Sequence, residues 1–489
     1  MSTPRSVRYY ARARGTSLQF RIRCVRAWSV AIVAVLSTGT SLRAQAAQPV
    51  ERDTLDHGQT RSWMPRVLGA QFNAIAQSLG SFRSPYSGSN SLSADGDHAV
   101  SHIYGVYFGM RPWQSRHART LIDAYLDIEM VRGRGVSRTV GLGGLTNGDV
   151  IRQGSADLGS APYVARAFVR VVHAFDPTHD VVIAHAPEQM ASATSAHRIE
   201  VTAGKLAAGD LFDLNRYANS TRQQFMNWGL FQNTAWDYAA DTRGYTNGIA
   251  VAWITPQWSI RAGSFQMPTL ANGNVFDAAI AHARGDQLEL TFTPALRSLG
   301  THSPTVRLLA YVNQARMGRY RDALARAEAT HVVPDIVADD QPGRRKRGWG
   351  MSVEQPVADS GETGVWMRLG GNDGRTESFA FTEVDQHVSA GGQLSGTHWG
   401  RANDRVAAAV VSHGLSAPHR DYLAAGGLGF LLGDGRLAYA HEWIGEAYYR
   451  WQPRAWCQIT ADLQAIANPG YNRDRGPAMV SGVRVNVRY

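Results

Sequence analysis

The sequence lacks the residue patterns that support the common kinds of catalysis. It contains no His-Glu-x-x-His zinc motif, no Gly-x-Ser-x-Gly nucleophile motif and no group of Cys and His at metal-ligand spacing. The glycine-rich stretch at residues 426–433 has neither the spacing of a dinucleotide-binding loop nor a following helix pattern, and is more typical of a loop or a bent strand. We therefore expect no catalytic residue, no bound metal and no cofactor.

Three stretches of the chain do carry side chains suited to binding a neutral polyol. Residues 146–154, 210–243 and 468–477 combine amides, carboxylates and arginines, and the last two also contain Trp or Tyr. Planar polar groups share paired hydrogen bonds with neighbouring hydroxyls, and an aromatic face covers the CH surface of a sugar ring. The alternative is that these groups only bind one another and hold the loops in shape. For any single residue the sequence leaves both open.

Alternating side chains in the rest of the chain predict β-strands with one apolar and one polar face. In residues 121–131, Asp123, Asp127 and Glu129 lie on one face and the other face is apolar. The last residues, 479–489, alternate in the same way, with valines against arginines. Three carboxylates on one strand face need water, because unpaired buried charge is very costly. The pattern favours strands whose polar faces border water and whose apolar faces border lipid.

Strands of this kind occur about sixteen times between residues 67 and 489, and bacterial barrels also have an even number of strands. Connections after odd-numbered strands are long and most others are short, which is typical of outer loops and inner turns. The connection 175–196 is an exception, and residues 181–184 within it resemble one more strand that would change the count. Residues 318–329 predict a short helix in a loop.

Two tryptophan pairs flank short predicted turns. Trp253 and Trp258 form one pair, and Trp451 and Trp456 form the other. Amphipathic aromatic side chains at one level of a barrel form an interfacial girdle. The alternative is that they are ordinary strand aromatics.

The N-terminus has the parts of a secretory signal. Seven arginines precede an apolar run at residues 27–36, and Ala44-Gln45-Ala46 supplies a small-residue cleavage site. We expect residues 1–46 to be a signal peptide and residues 47–489 to form one outer-membrane β-barrel domain. Residues 1–46 hold eight arginines and no acid, so of the net charge of +10 only +2 remains in the exported chain. Its charge therefore does not indicate nucleic-acid binding.

No later segment approaches the roughly 20 consecutive apolar residues of a transmembrane helix. If the protein lies in a membrane, it crosses with strands. The predicted fold class is all-β: a closed antiparallel transmembrane β-barrel of about sixteen strands, with inward-folded outer loops and a short loop helix.

Four stretches, in order along the chain, resemble those of the carbohydrate-selective porins of the OprB type. They are residues 141–154, 224–228, 237–245 and 468–477. The resemblance covers nearly all of the chain after residue 46. It implies a sixteen-stranded, monomer-sized pore in the bacterial outer membrane that passes sugars by diffusion, with charged and aromatic residues at its constriction. It does not identify the individual binding positions.

The predicted function is passive, mildly selective diffusion of carbohydrates across the bacterial outer membrane. The expected partners are mono- or oligosaccharides, outer-membrane lipid and lipopolysaccharide, with the chain as a monomer or a trimer of barrels and no nucleic acid. The alternatives are a barrel enzyme, a polysaccharide-binding or assembly protein with a plugged lumen, or a secreted all-β glycan-binding protein.

Inward-facing charges from several strands and loops are the candidate constriction residues. We expect rows of carboxylates and arginines on facing strands to set up a transverse field there. The candidates are Asp123, Asp127, Glu129, Asn147, Asp149, Arg152, Arg166, Arg170, Arg198, Glu200, Asn227, Trp228, Asp237, Tyr238, Asp241, Arg243 and Arg307.

Overall fold

The barrel and its loops are seen in a computed structural model that describes residues 64–150, 159–177, 181–186, 188–294 and 302–489. Within these residues, sixteen strands close into an antiparallel barrel and two further strands pair only with each other. The strands are β1 (Arg66–Leu79), β2 (Asp97–Gln114), β3 (Thr120–Gly133), β4 (Tyr163–Ala174), β5 (Val181–Ile183), β6 (Ser192–Thr194), β7 (Arg198–Leu206), β8 (Thr246–Ile254), β9 (Trp258–Gln266), β10 (Arg284–Phe292), β11 (Thr305–Met317), β12 (Gln341–Ala358), β13 (Thr363–Asn372), β14 (Gln386–Ser395), β15 (Arg405–Gly414), β16 (Glu442–Arg454), β17 (Cys457–Ala467) and β18 (Ala478–Arg488).

The barrel closes between its first and last strands. β1 pairs with β18, for example through Ala74 and Val485, and β4 pairs directly with β7. The predicted barrel of about sixteen strands is therefore confirmed. Residues 181–184 do contain a strand, but β5 pairs with β6 in a separate hairpin, so it adds nothing to the barrel. Closure gives each barrel strand two hydrogen-bonded neighbours, as a structure surrounded by lipid requires.

The two faces of the strands have the predicted chemistry. In β18, Val483 is 42% exposed, whereas Arg484 and Asn486 are 1% exposed. In β3, Leu126 is 38% exposed and Asp127 is completely buried. The polar face therefore points into the barrel and the apolar face forms its outer surface. Lipid tails solvate such an outer surface, and the interior holds the polar groups.

The two ends of the barrel carry connections of different length. Long connections follow β1, β3, β7, β9, β11, β13, β15 and β17, whereas β8–β9, β12–β13 and β16–β17 are joined by two to four residues. We call the end with long connections the outer end and the other the inner end, following the rule for bacterial barrels. At the inner end, 175–197 is the longest connection, and 293–304 is also longer than these turns. The predicted pair Trp253 and Trp258 lies there, with ring centroids 5.0 Å apart.

Helices occur in the outer connections. The helix Tyr320–Thr330 corresponds to the predicted loop helix at residues 318–329, and a second helix, Ala417–Ala424, packs beside it. Tyr320 of the first helix stacks on His419 of the second, with ring centroids 4.3 Å apart. Among the described residues, no helix combines the length and the apolar character needed to cross a bilayer.

The connection from β7 to β8, residues 207–245, lies inside the barrel. Its backbone N–H groups donate to carboxylates that project inward from the wall: Asp213 to Glu289 at 2.7 Å, Arg216 to Glu354 at 2.7 Å and Met226 to Glu446 at 2.6 Å. Wall arginines donate to its carbonyl groups: Arg368 to Ala218 at 2.8 Å and Arg484 to Thr221 at 2.6 Å. These bonds hold the connection against β10 to β18 and fill that side of the lumen.

Apolar side chains pack between this connection and the wall. Phe225 lies edge-on to Trp366 and Tyr448, with ring centroids 6.0 and 5.1 Å away. Phe212 makes similar contacts with Trp236 and Phe265. The barrel therefore contains a packed core on one side, which leaves the side formed by β1 to β4 to border any open space.

The outward face of β18 provides a test of the lipid-facing assignment. Val483→Arg should lower the free energy of unfolding in lipid by about 2–4 kcal/mol, because Val483 lies near the middle of its strand and faces hydrocarbon. Met479→Arg, at the outer end of the same face, is the matched control and should cost about 1 kcal/mol or less. Urea titration of the protein in liposomes measures both. Equal costs at the two positions would contradict the assignment.

Candidate functional site

The open side of the lumen contains a cavity of about 440 Å³, a volume within the range of small-molecule sites. Strands β1 to β4 form one wall, and residues 207–245 form the other. Charged and aromatic side chains dominate its lining. They are Glu129, Asp149, Tyr163, Arg166, Glu188, Asp210, Arg222, Trp228, Phe231, Tyr238, Asp241, Arg243, Tyr245, Phe381 and Arg488.

Glu129 is at the centre of one charged cluster. It projects inward from β3 and is 1% exposed. Arg222 donates to it at 2.8 Å, Tyr245 at 2.6 Å and Tyr163 at 3.3 Å. A carboxylate that accepts several hydrogen bonds is fixed in orientation, and buried charge requires such partners. Glu129 therefore ties two tyrosines and an arginine into one polar surface.

Arg222 joins the inserted connection to the opposite wall. Its Nε donates to Asp149 at 2.8 Å, and its Nη1 donates to Glu129, to Tyr107 at 3.2 Å and to Gln71 at 3.3 Å. These partners belong to β1, β2, β3 and the connection after β3. Arg222 therefore lies across the lumen and limits the width of the cavity on that side.

Arg166 is at the centre of a second cluster. Its Nε and Nη2 donate to the two carboxylate oxygens of Asp210 at 2.7 and 2.9 Å. Its Nη1 lies 3.5 Å from the carboxylate of Asp127 and 3.4 Å from that of Glu188. Its guanidinium also lies 5.2 Å from the ring centroid of Tyr245. One arginine is thus shared by three carboxylates and one aromatic face.

Glu188 reaches this cluster from the inner end of the barrel, in the long connection 175–197. The neighbouring Met190 anchors it, because its N–H donates to the Tyr125 hydroxyl at 3.2 Å and its side chain is packed with Leu68 and Tyr107. The length of this connection therefore has a structural role. It allows residues from the inner end to line the same cavity as the outer connections.

Aromatic rings form another part of the lining. Trp228 and Phe381 are stacked at an interplanar angle of 16°, with ring centroids 5.0 Å apart, and Tyr238 lies 4.3 Å from Phe381. Arg243 lies over the ring of Tyr163 at 4.5 Å. Flat aromatic faces next to fixed hydrogen-bonding groups are suited to a molecule with CH surfaces and hydroxyl edges.

Asp237 holds Phe381 in place. Its carboxylate accepts backbone N–H groups from Phe379 at 2.8 Å, Ala380 at 2.8 Å and Phe381 at 3.1 Å, and Lys346 pairs with it at 3.3 Å. Asp237 therefore positions the connection between β13 and β14 against residues 207–245, and it does so from behind the cavity surface.

Burial changes the acidity of the carboxyl groups that the connections contribute. It raises the pKa of Asp149, although Arg222 acts in the opposite direction. It also raises the pKa of Glu188, against the effect of Arg166, and that of Asp241. These groups therefore take up protons at a higher pH than an exposed carboxyl group, whose pKa is about 4.

Some of the predicted site residues meet in this cavity. Those that line it are Glu129, Asp149, Arg166, Trp228, Tyr238, Asp241 and Arg243. Asp127 lies directly behind Arg166. Arg152 lies outside the described residues.

The other predicted residues are bound elsewhere in the barrel. Asp123 pairs with Arg111, Arg170 and Arg198 both pair with Glu200, Arg307 pairs with Glu354, Asn147 donates to Ser101, Asn227 donates to Gln464, and Asp237 pairs with Lys346. Most of these charges are neutralised by neighbours on the wall. Of the carboxylates and arginines that were expected to set up a transverse field, only those in the Arg166 and Arg222 clusters lie beside the cavity.

Several lining residues were not identified from the sequence. Asp210 and Arg222 lie within the polar stretch 210–243, and Tyr245 ends the motif 237–245, so a signal for these three was present. Glu188 and Phe381 carry no comparable signal. Their place in the cavity depends on the paths of two loops, which local patterns do not specify.

A closed sixteen-stranded barrel with an apolar outer surface and a charged lumen defines an outer-membrane porin. The family model for the carbohydrate-selective porins, OprB family, matches residues 117–489. The chain belongs to this family and is an outer-membrane carbohydrate porin. This confirms the resemblance seen in the sequence.

Solved structures of other channels resemble this chain. The high-pH structure of Pseudomonas putida OprB is 14% identical in sequence, with 86% of this chain and 94% of that chain covered and a TM-score of 0.62. This likeness shows the fold. The outer-membrane channel DcaP of Acinetobacter baumannii is 9% identical, with 87% and 97% covered and a TM-score of 0.45. A comparison with curated proteins gave no match.

Removal of Arg222 tests its position across the lumen. Arg222→Ala should raise the single-channel conductance, because the side chain spans the space between two walls. It should also lower the free energy of unfolding by about 3 kcal/mol, because Glu129 and Asp149 lose a buried partner. Arg222→Lys, which keeps the charge, should restore much of the stability. Unchanged conductance in Arg222→Ala would show that Arg222 does not narrow the path.

The raised pKa values of the connection carboxyls predict a pH dependence of ion preference. As the pH falls, Asp149, Glu188 and Asp241 become neutral while the arginines stay charged, so the ratio of cation to anion permeability should begin to fall at a higher pH than exposed carboxyl groups would give. Reversal potentials in a KCl gradient measure this change. Glu188→Gln should remove part of it. A transition confined to pH 4 or below would contradict the prediction.

Proposed function

We propose that the cavity between residues 207–245 and β1 to β4 is the constriction through which carbohydrates diffuse. The observation that carries the proposal is that one cavity combines stacked aromatic rings with two arginine and carboxylate clusters. Each barrel would then be a separate pore, whether the chain is a monomer or part of a trimer.

The clusters supply hydrogen bonds in fixed directions. The carboxylate of Asp210 accepts from sugar hydroxyls, and the guanidinium groups of Arg166 and Arg222 donate to them. Glu129 holds Arg222 and Tyr245 in position. These side chains are already held by one another, so little conformational freedom is lost when a sugar arrives. Each bond replaces one to water and contributes only about 1 kcal/mol. Weak binding of this kind permits rapid release, which conduction requires.

The aromatic rings complement these polar contacts. Trp228, Phe381 and Tyr238 partly cover one another, and the parts of the rings that line the cavity offer an apolar surface to the CH face of a sugar ring. An amino acid or a small ion has no such face and gains less from the contact. The rings therefore favour sugars over other polar solutes of similar size.

The charges around the cavity favour neutral solutes over anions. Five carboxylates surround two arginines within a few ångströms of Glu129 and Arg166, so the local field is strong and the formal charge of the two clusters is −3. A neutral polyol binds both kinds of group, whereas the excess of carboxylates repels an anion. We infer mild selectivity for neutral mono- or oligosaccharides and no catalytic role for these residues.

We also propose how the chain reaches the membrane and which lipids surround the barrel. The signal pattern at residues 1–46 supports export of the chain and cleavage of this segment. The apolar outer face of the barrel supports contact with the lipid of that membrane, including lipopolysaccharide in its outer leaflet.

Liposome swelling tests the proposed transport. Liposomes that contain the purified protein should swell faster in an isotonic monosaccharide than in an amino acid of similar size. A protein with a plugged lumen would give no swelling in either solute. Equal rates for both solutes would show an unselective pore and contradict the proposed role of the cavity.

A matched pair of variants tests the aromatic lining. Phe381→Leu keeps an apolar side chain but removes the ring that stacks on Trp228, so sugar should block the ion current with about three- to tenfold weaker affinity. Phe225→Leu is the control, because Phe225 lies on the opposite side of the inserted connection, against Trp366 and Tyr448. An equal loss of affinity in both variants would point to loosened packing and contradict direct contact.

A further inference from the structure

The outward face of β10, β11 and β12 changes from apolar to basic towards the outer end. Cross-strand register places Leu288, Ala310 and Trp349 in one row. The next outward-facing row contains Asp286, Val312 and Arg347, and the row beyond it contains Arg284, Gln314 and Arg345. Leu288 and Trp349 are 51% and 52% exposed, as expected of side chains in contact with hydrocarbon. The boundary of the apolar surface therefore lies directly below Arg347.

Arg345 and Arg347 are two residues apart on β12 and share its outward face. Both are exposed, and this spacing separates their Cα atoms by about 7 Å. With its amide oxygen towards Arg345, Gln314 accepts a hydrogen bond from that guanidinium at 2.9 Å. Gln314 is itself buried, and in the same orientation its amide nitrogen donates to the carbonyl of Ala281 at 3.1 Å. The guanidinium of Arg345 is therefore held in place by a neutral group.

Two neighbouring arginines, unlike Arg345 and Arg347, have acidic partners. Arg284 pairs with Asp286 at 2.8 Å, and Arg316 pairs with Asp340 at 3.1 Å. Within the part of the chain that the structure describes, no carboxylate forms an ion pair with Arg345 or Arg347. The carboxylate of Asp373 is nearby, but it accepts from the backbone N–H of Arg347 at 3.1 Å. Among the described residues, these two guanidinium groups thus have no ion pair at the edge of the lipid-facing surface.

The position and the chemistry of this pair fit a phosphorylated lipid. A tryptophan at the edge of an apolar surface marks the interface, so side chains just beyond it lie among lipid head groups. Guanidinium groups bind phosphate oxygens through paired hydrogen bonds, and a basic patch next to hydrocarbon attracts anionic head groups. A soluble anion would satisfy the charge alone. A lipid would also cover Trp349 and Leu288 with its acyl chains.

The basic patch is local to this part of the barrel. On the outward faces of β17 and β18, the residues nearest the outer end are Ala465, Ala467 and Met479. The outer end of β3 carries a single exposed arginine, Arg132. If these arginines only kept the outer end of the barrel in contact with water, two of them on the same face of one strand would not be needed. We propose that Arg345 and Arg347, with Gln314, bind a phosphate group of an outer-leaflet glycolipid of the lipopolysaccharide type.

Lipid retention tests this site independently of transport. Native mass spectrometry and thermal unfolding of the purified barrel would be compared after addition of bisphosphorylated lipid A, dephosphorylated lipid A, phosphatidylglycerol and inorganic phosphate. Bisphosphorylated lipid A should bind and raise the unfolding temperature. Arg345→Gln with Arg347→Gln should weaken this binding by about tenfold or more. Arg345→Lys with Arg347→Lys should retain part of it.

A control variant removes the same charge elsewhere. Arg132→Gln with Arg454→Gln changes one exposed arginine at the outer end of β3 and one at the inner end of β16, and should bind lipid A as the unchanged protein does. Equal weakening in the control, or equal binding of dephosphorylated lipid A, would overturn the proposal. Binding of inorganic phosphate as tightly as lipid A would show a soluble-anion site and would also overturn it. Sugar transport should be unchanged in every variant, so this proposal and the proposed function can fail separately.

Discussion

The need to satisfy every backbone polar group without water decides the architecture of this protein. In a bilayer, N–H and C=O groups must find partners within the protein, and strands achieve this only when the sheet has no free edge. The pairing of β1 with β18 supplies the last of these partners. Because the outer face then borders lipid, the charged side chains of each strand must point inward. The chemistry of the lumen is a consequence of that constraint.

Charged side chains that point into the barrel need partners, and the connection at residues 207–245 supplies them. Arg368 and Arg484 are almost completely buried, and Glu446 is too. Such groups destabilise a protein unless they are paired or hydrogen-bonded. Residues 207–245 provide backbone donors to the carboxylates and backbone acceptors to the arginines. One side of the lumen is filled in this way, and the charges on the other side remain available to line a path.

The barrel could be predicted well from the sequence because the patterns that indicate strands are local and occur many times along the chain. Alternation in segments such as 121–131 identifies both faces of a strand, and the lengths of the connections identify the two ends. The site was predicted less completely. Asp123 and Arg307 have the right type and the right face, but Arg111 and Glu354 neutralise them on the wall. Phe381 reaches the cavity because Asp237 binds three consecutive N–H groups, an arrangement that exists only after folding.

The central claim is that sugars and ions pass through the cavity beside Glu129, and covalent blocking tests it most directly. Arg243 lines the cavity and is partly exposed, so Arg243→Cys in a Cys457→Ser background would place a single reactive thiol there. A bulky thiol reagent should then block most of the single-channel current, and a saturating sugar should slow the reaction. Ser481→Cys, on the outward face of β18, should show no block. Full current through a channel whose Arg243→Cys thiol is completely modified would contradict the account.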